Sequence, residues 1–286
     1  MDKANKIDRD QLLAFCIKEI DQPQLAEWFH EKCNDLEVPR KFFINFGLVG
    51  RRIPRRPIQW KEELERQLRG INPPFDSASW TLDDLCRLTV MLSLDPSKNR
   101  EVISTLLSAA DMREQVVIYK SLPFLSNAEE FVWLAIDGIR TNMVDVFDAI
   151  ALYNIYPYRY FSEDAWNQMV LKAIFMERPI YQIARIDDRK NQKLVDILYD
   201  FSHERWSASR SVTPELWRLV SGYLNDAIFD DLKNVINKDT PLAREAATKV
   251  IAESNDAEAL QWIKEAGVSI SKHSWDEIGK LIFEEK

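Results

Sequence analysis

A chain of 286 residues with 46% hydrophobic and 29% charged residues, only seven glycines and a formal charge of −8 has the composition of a soluble helical protein of one elongated or two small domains. So few glycines argue against sheet-rich folds and phosphate-cradling loops, which use glycine at tight turns. The acidic balance excludes a general nucleic-acid binder, and three cysteines (Cys16, Cys33 and Cys86) make neither a disulfide framework nor a zinc site.

Residues 8–21 and 23–36 read as an amphipathic helical hairpin. Leu12, Leu13, Phe15, Cys16 and Ile20 form one apolar stripe, and Leu25, Trp28, Phe29 and Cys33 the other. The opening MDKANKIDRD has no apolar core of a signal peptide, and no apolar run approaches the roughly 20 residues that span a bilayer. The expectation is a cytoplasmic protein.

Between Glu37 and Glu62 there is no acidic residue, and seven bases lie there: Arg40, Lys41, Arg51, Arg52, Arg55, Arg56 and Lys61. Without them the rest of the chain stands at −15. Phe42, Phe43, Ile44, Phe46, Leu48, Val49 and Ile53 are interleaved, and Pro54 and Pro57 make 50–58 a non-helical connector. Arg51, Arg52, Arg55 and Arg56 suit an anionic membrane surface, a phosphate-bearing ligand or an acidic face of the same chain. The first would place the protein at the periphery of the inner membrane.

Helices follow with short joints. One spans 59–69 and stops at Gly70. Thr81 caps a helix with Asp83 and Asp84 in its first turn. Others cover about 97–109, 111–121, 127–140, 143–153, 162–176, 191–208, 213–224, 226–237, 241–254, 256–266 and 274–284. No segment alternates with period two. From Asn225 onward a helix, an Asp-Thr-Pro joint and an Ala/Val/Ile-lined helix have the rhythm of HEAT-type repeats. The fold class is therefore all-α, with irregular α-solenoid-like helical pairs that become HEAT-like in the C-terminal third. The division is 1–58 (hairpin and basic connector), 59–224 (central helical domain) and 225–286 (C-terminal helices).

The central helices around Arg140–Phe175 are apolar over most of their circumference, so neighbours should cover them. Asp145 and Asp148 form the one polar stripe of 143–153, Asn167 falls inside the apolar arc of 162–176, and Arg205 projects from the core stripe of 191–208. A buried guanidinium needs a carboxylate and a buried amide needs hydrogen bonds. Arg140 and Arg205 are thus expected to pair with acids including Asp145 or Asp148, with Asn154 and Asn167 joining the network. Such a network either locks helix register or, beside a cleft, performs acid/base work.

His203 shares a face with Asp196 and Asp200 and reads as a solvated stripe, while His30 and His273 show no partner pattern. The pairs Asp83-Asp84, Asp187-Asp188 and Asp230-Asp231 sit near helix starts and suit caps better than magnesium-diphosphate chemistry. No Gly-rich phosphate loop, HExxH or CxxC is present. No metal and no cofactor is expected.

The segments SWTLDDLCRLTVMLSL (79–94), GIRTNM (138–143), ALYNIYPYRYF (151–161), WNQMVLKAIF (166–175), DDRKN (187–191), FSHERW (201–206) and PELWR (214–218) occur in an order and spacing that resemble the EboA family of bacterial proteins. The resemblance covers roughly residues 60–265 and leaves the N-terminal hairpin and last helix outside. It implies a place in an operon that also encodes a UbiA-type membrane prenyltransferase, a dehydroquinate-synthase-like enzyme, a sugar-isomerase-like barrel, a metal-dependent hydrolase and a phosphodiesterase-like protein. The implied context is a prenylated, sugar- or cyclitol-derived specialised metabolite, made or exported. The implied partners are that prenyltransferase or other proteins of the pathway. It assigns no catalytic residue. The expectation is an accessory or scaffold protein beside the prenyltransferase. The alternative is an enzyme of the same pathway, with a pocket between the central helices.

Overall fold

In a computed structural model, residues 7–35 and 39–284 are described. Among them the chain forms seventeen α-helices and five short 3-10 turns, with one isolated bridge between Pro57 and Thr81 and no strand. None of these helices is long and apolar enough to cross a membrane. The first six residues of the opening, and Leu36 at the end of the second expected helix, lie outside the described residues.

The helices gather into two compact units, residues 1–162 and 163–286. This boundary differs from the three-part division read from composition. The hairpin and the basic segment do not stand apart, because their apolar faces pack against a helix of the central region.

The first unit holds α1 (Arg9–Glu19), α2 (Pro23–Asn34), α3 (Arg40–Arg52), α4 (Glu62–Ile71), α5 (Leu82–Leu92), α6 (Asn99–Ala109), α7 (Met112–Ser121), α8 (Val132–Gly138), α9 (Val144–Ala151) and α10 (Tyr156–Tyr160). Its centre is α5, which packs on α1, α3 and α7 and is buried around its circumference, Asp83, Arg87 and Thr89 included. Asp84 closes the start of α5 by accepting the Thr81 amide at 3.3 Å. Cys16, Cys33 and Cys86 are free thiols buried in this core, with the Cys16 sulfur 3.5 Å from the Thr89 hydroxyl. Burial pushes the Cys33 thiol up to about 12.

Three local expectations are corrected. Gly70 lies inside α4, which ends one residue later and is capped by Asn72. The basic segment is helical through Arg52, because Phe42, Asn45, Phe46 and Val49 recur at helical spacing and are buried. Only 53–61 is extended, and it is pinned: the Arg56 carbonyl accepts the Leu82 amide at 3.0 Å and the Trp60 indole donates to the Ser77 carbonyl at 3.1 Å.

The close fit of α3 on α5 depends on Gly50. A Cβ there would overlap the Arg87 guanidinium, which lies beneath α3 over the Phe46 ring at 5.2 Å. Arg87 is 6% exposed and has little freedom to retreat, since Glu114 of α7 stands 3.4 Å away and Asp83 3.9 Å away. Glu114 also accepts the Asp111 amide at 3.2 Å, so one carboxylate both caps α7 and holds Arg87.

The second unit holds α11 (Glu163–Phe175), α12 (Gln192–Ser207), α13 (Glu215–Val220), α14 (Asp226–Lys238), α15 (Pro241–Glu253), α16 (Ala257–Glu265) and α17 (Trp275–Glu284). The short α13 contributes a side chain to the core or to a buried polar contact at every position, and packs on α12, α15 and α17. The joint before α15 matches its sequence, with Thr240 capping through its hydroxyl and Pro241 at the first helical position. The expectation that the central helices are wholly covered is not met, because Met143 and Val144 at the start of α9 and Phe175 at the end of α11 are exposed.

Gly50→Ala is expected to lower the stability of the protein by about 1–3 kcal/mol in urea unfolding, through displacement of a buried guanidinium rather than loss of backbone freedom.

Candidate functional site

The six side chains singled out in sequence divide between the two units and do not form one centre within either. Arg140 is exposed, and its ion-pair partner is Asp137 in the last turn of α8, at 4.0 Å. Asp145 is exposed in the first turn of α9, and Asp148 is half-buried. Arg205 donates to the Ser211 carbonyl at 2.9 Å and lies over the Phe201 ring, fastening the turn that follows α12. The expected pairing of Arg140 with Asp145 or Asp148 is thus replaced by a local pair. Arg140 follows the C-terminus of α8 and points to water, where an ion pair need not be deep.

The two asparagines are interior: Asn167 inside the apolar arc of its helix, and Asn154 in the corner that follows α9. Asn154 is 4% exposed; its amide donates to the carbonyls of Ala149 (2.9 Å) and Tyr119 (3.2 Å), and its oxygen accepts the Tyr156 amide at 2.9 Å. Asn72 does the same one residue away, donating to the Tyr153 carbonyl and accepting the Ile155 amide at 2.8 Å. Together they satisfy the backbone of the Tyr/Pro corner, where Tyr153 is left-handed at φ 51. In the second unit Asn167 and Asn191 exchange amide hydrogen bonds at 3.0 and 2.9 Å, and Asn191 caps α12 through the Leu194 amide. These hydrogen bonds tie the Tyr/Pro corner and the start of α12 to their neighbours.

The strongest concentration of buried charge is elsewhere, in the second unit. Arg218 of α13 is 7% exposed. Its Nε and Nη2 donate to both oxygens of Asp187, at 3.0 and 2.7 Å, and its Nη1 donates to Asp276 of α17 at 2.7 Å. One turn earlier on α13 lies Glu215, 2% exposed, which accepts the Tyr181 amide at 2.9 Å. Lys190 donates to the carbonyl of Ser221 at 3.0 Å and lies 4.0 Å from Asp187. Burial pushes the Glu215 carboxyl up to about 7, against the lowering pull of the Tyr181 and Ile180 amides and of Arg218; Asp276 adds to the rise. Sequence reading missed this centre. The available signal was Glu215 and Arg218 three residues apart on PELWR, facing the Asp of DDRKN, but α13 was too short to show an apolar face.

Each aspartate of the pairs has a basic side chain as partner. Asp83 faces Arg87, Asp84 faces Lys120, Asp187 faces Arg218, Asp188 faces Arg185, Asp230 faces Lys233 and Asp231 faces His203. The acid that meets His203 is therefore Asp231 of α14, at 2.7 Å, rather than Asp196 or Asp200. His273 also has a partner, Glu245 at 2.7 Å. Lys120 is enclosed beneath Trp80, and burial lowers its pKa while Asp84 opposes the shift.

The basic segment behaves in two ways. Arg56 is bound within the chain, donating to the Glu19 carbonyl and pairing with Glu19 and Asp21 at 3.7 and 3.4 Å. Arg52 lies over the Trp28 ring at 4.8 Å. Arg51 and Arg55 are exposed and have no ion pair among the described residues; Arg51 shares the outer face of α3 with Ile44, which is 50% exposed, whereas Arg55 lies on the extended segment that follows.

A family model described as metabolite traffic protein EboA matches residues 9–221. The match takes in the N-terminal hairpin, which the resemblance had left outside, and stops before α14. No curated protein and no solved structure matches the chain.

Because the folded state holds the Glu215 proton more tightly than the unfolded chain, the cost of burying this carboxyl grows as pH rises from 4.5 to about 7 and is constant above. At its full extent it is about 3 kcal/mol. Glu215→Gln keeps an acceptor for the Tyr181 amide, so its stability relative to the parent is expected to be roughly 2 kcal/mol more favourable at pH 8 than at pH 5 in urea unfolding.

Proposed function

Because the chain belongs to the EboA family of metabolite traffic proteins, we propose that it is a non-catalytic accessory protein of a specialised-metabolite pathway, held at an anionic membrane surface by the outer face of α3. The observation that carries this reading is the basic surface itself: Arg40, Ile44 and Arg51 exposed on one face of α3, and Arg55 exposed on the extended segment after it, in a stretch without acids and a chain otherwise at −15. Guanidiniums beside an exposed isoleucine match anionic headgroups over an acyl boundary. In this reading the protein works beside the membrane prenyltransferase that the family resemblance implies, on a prenylated sugar- or cyclitol-like metabolite. In this reading helices α14–α17, in which α15 packs on α14, α16 and α17, serve as a HEAT-like surface for other proteins of the pathway.

The test is flotation with liposomes of phosphatidylglycerol. Arg51→Gln/Arg55→Gln leaves the Arg56 anchor intact and is expected to weaken retention about thirtyfold, at about 1 kcal/mol per base. Failure of the parent protein to float would end the membrane reading.

A second reading, an enzyme of the same pathway, draws on Glu215, since a carboxyl that exchanges its proton near neutrality suits general acid or base work. Metabolite profiling separates the two. A strain carrying Glu215→Gln that accumulates a single intermediate makes the protein an enzyme. An unchanged profile, with loss of all products only when the gene is deleted, makes it an accessory.

A further inference from the structure

Helix α17 completes the enclosure of Arg218 and Glu215, although it lies outside the 9–221 segment that the family model matches. It supplies Asp276 to Arg218 and Gly279 to the wall beside Glu215. The seat is closely shaped. A Cβ on Gly279 would come within 2.6 Å of the Tyr181 ring and 2.8 Å of the Glu215 carboxylate. Phe283 lies with its ring centre 6.2 Å from that of Tyr181. Asp276, Gly279 and Phe283 are spaced i, i+3, i+7 and so share one face of the helix.

What holds α17 is more polar than apolar, although it packs on α13, α15 and the 3-10 turn Ile180–Gln182. Only Ile278 and Gly279 are fully buried on it, whereas Glu215 and Arg218 beneath are nearly inaccessible. The link from α16 turns at Gly267, left-handed at φ +66, and leaves Ile270 47% exposed. The ties to α15 are side-chain contacts near water: Ser271 and His273 of the link to Glu245 at 2.9 and 2.7 Å, the Trp275 indole donating to Glu253 at 3.0 Å, and Lys249 over the Trp275 ring at 5.6 Å. A short helix with little buried apolar surface, on an exposed link, opens locally before the core around it. Opening would free the Nη1 edge of Arg218 while Asp187 keeps its other edge in place, leaving an oriented guanidinium, a carboxyl and the Tyr181 ring on an otherwise ordered surface.

We propose that α17 is a latch seated on a recognition site for an acidic helix of a partner protein. In the latched state Asp276 fills the site in cis. A partner helix that presents an aspartate, a small residue three positions on and an aromatic seven positions on takes the same seat when α17 leaves. This inference does not rest on membrane docking, because the α3 face and the α17 seat belong to different units.

The test uses the full chain, hydrogen exchange and a fluorescent peptide of residues 274–284. Amides of α17 are expected to exchange at least tenfold faster than those of α15, by local opening. Gly279→Leu, which cannot reseat, is expected to raise exchange in α17 alone and to bind the peptide at least tenfold more tightly than the parent chain, whose own helix competes. A peptide carrying Asp276→Asn is expected to lose at least tenfold in affinity. Should Gly279→Leu fail to fold, Asp276→Asn in the full chain removes the Arg218 contact alone and is read in the same way. Exchange of α17 only together with α15 overturns the proposal. So does a released variant that binds the peptide no better than the parent, or binding that ignores the aspartate.

Discussion

A guanidinium taken out of water must find carboxylates or it destabilises the fold by several kilocalories, and each unit of this protein is organised around one that has done so. In the first unit Arg87 lies between α3, α5 and α7, answered by Glu114 and Asp83. In the second, Arg218 joins α13, the 3-10 turn before α12 and α17 through Asp187 and Asp276. Apolar packing alone would let short helices slide or rotate against each other at small cost. A buried forked donor with acceptors on separate elements allows one arrangement, and removing any partner leaves a charge stranded. That constraint explains a tolerated oddity. Gly50, a poor helix former, stands in α3 because no side chain fits over the Arg87 guanidinium.

Much of the architecture was legible in the sequence. The all-helical fold follows from scarce glycine and 3.6-residue periodicity, and caps such as Asp111, Asn225 and Thr240 sit where the helices begin. The interior placement of Asn167 was readable too, because an amide inside an apolar arc has nowhere else to go. What was not legible is partnership over distance. Arg218 and Asp276 are separated by 58 positions, and no local pattern joins them. Arg140 and Arg205 looked buried on a wheel drawn through ideal helices, but α8 ends at Gly138 and α12 at Ser207. Residues near a helix end escape the face that periodicity assigns them.

Charge is distributed unevenly in a way that the totals conceal. The acids of the paired-aspartate motifs are each met within the chain by a lysine, arginine or histidine side chain. The bases of 40–61 divide instead into those that tie the connector to α1 and those that face water. Arg56 is structural, while Arg51 and Arg55 are available. Neighbouring residues of one type thus have separate tasks, and a substitution that neutralises all four arginines would confuse loss of docking with loss of fold.

The placement of the thiols has a practical consequence. All three cysteines lie in the first unit, wholly covered, and burial holds the Cys33 and Cys86 thiols protonated far above neutral pH. The second unit has none. Alkylation of the native protein therefore reports opening of one half of the molecule only, as a clock already built into the chain. The same sequestration keeps the sulfurs from oxidants for as long as that half stays closed.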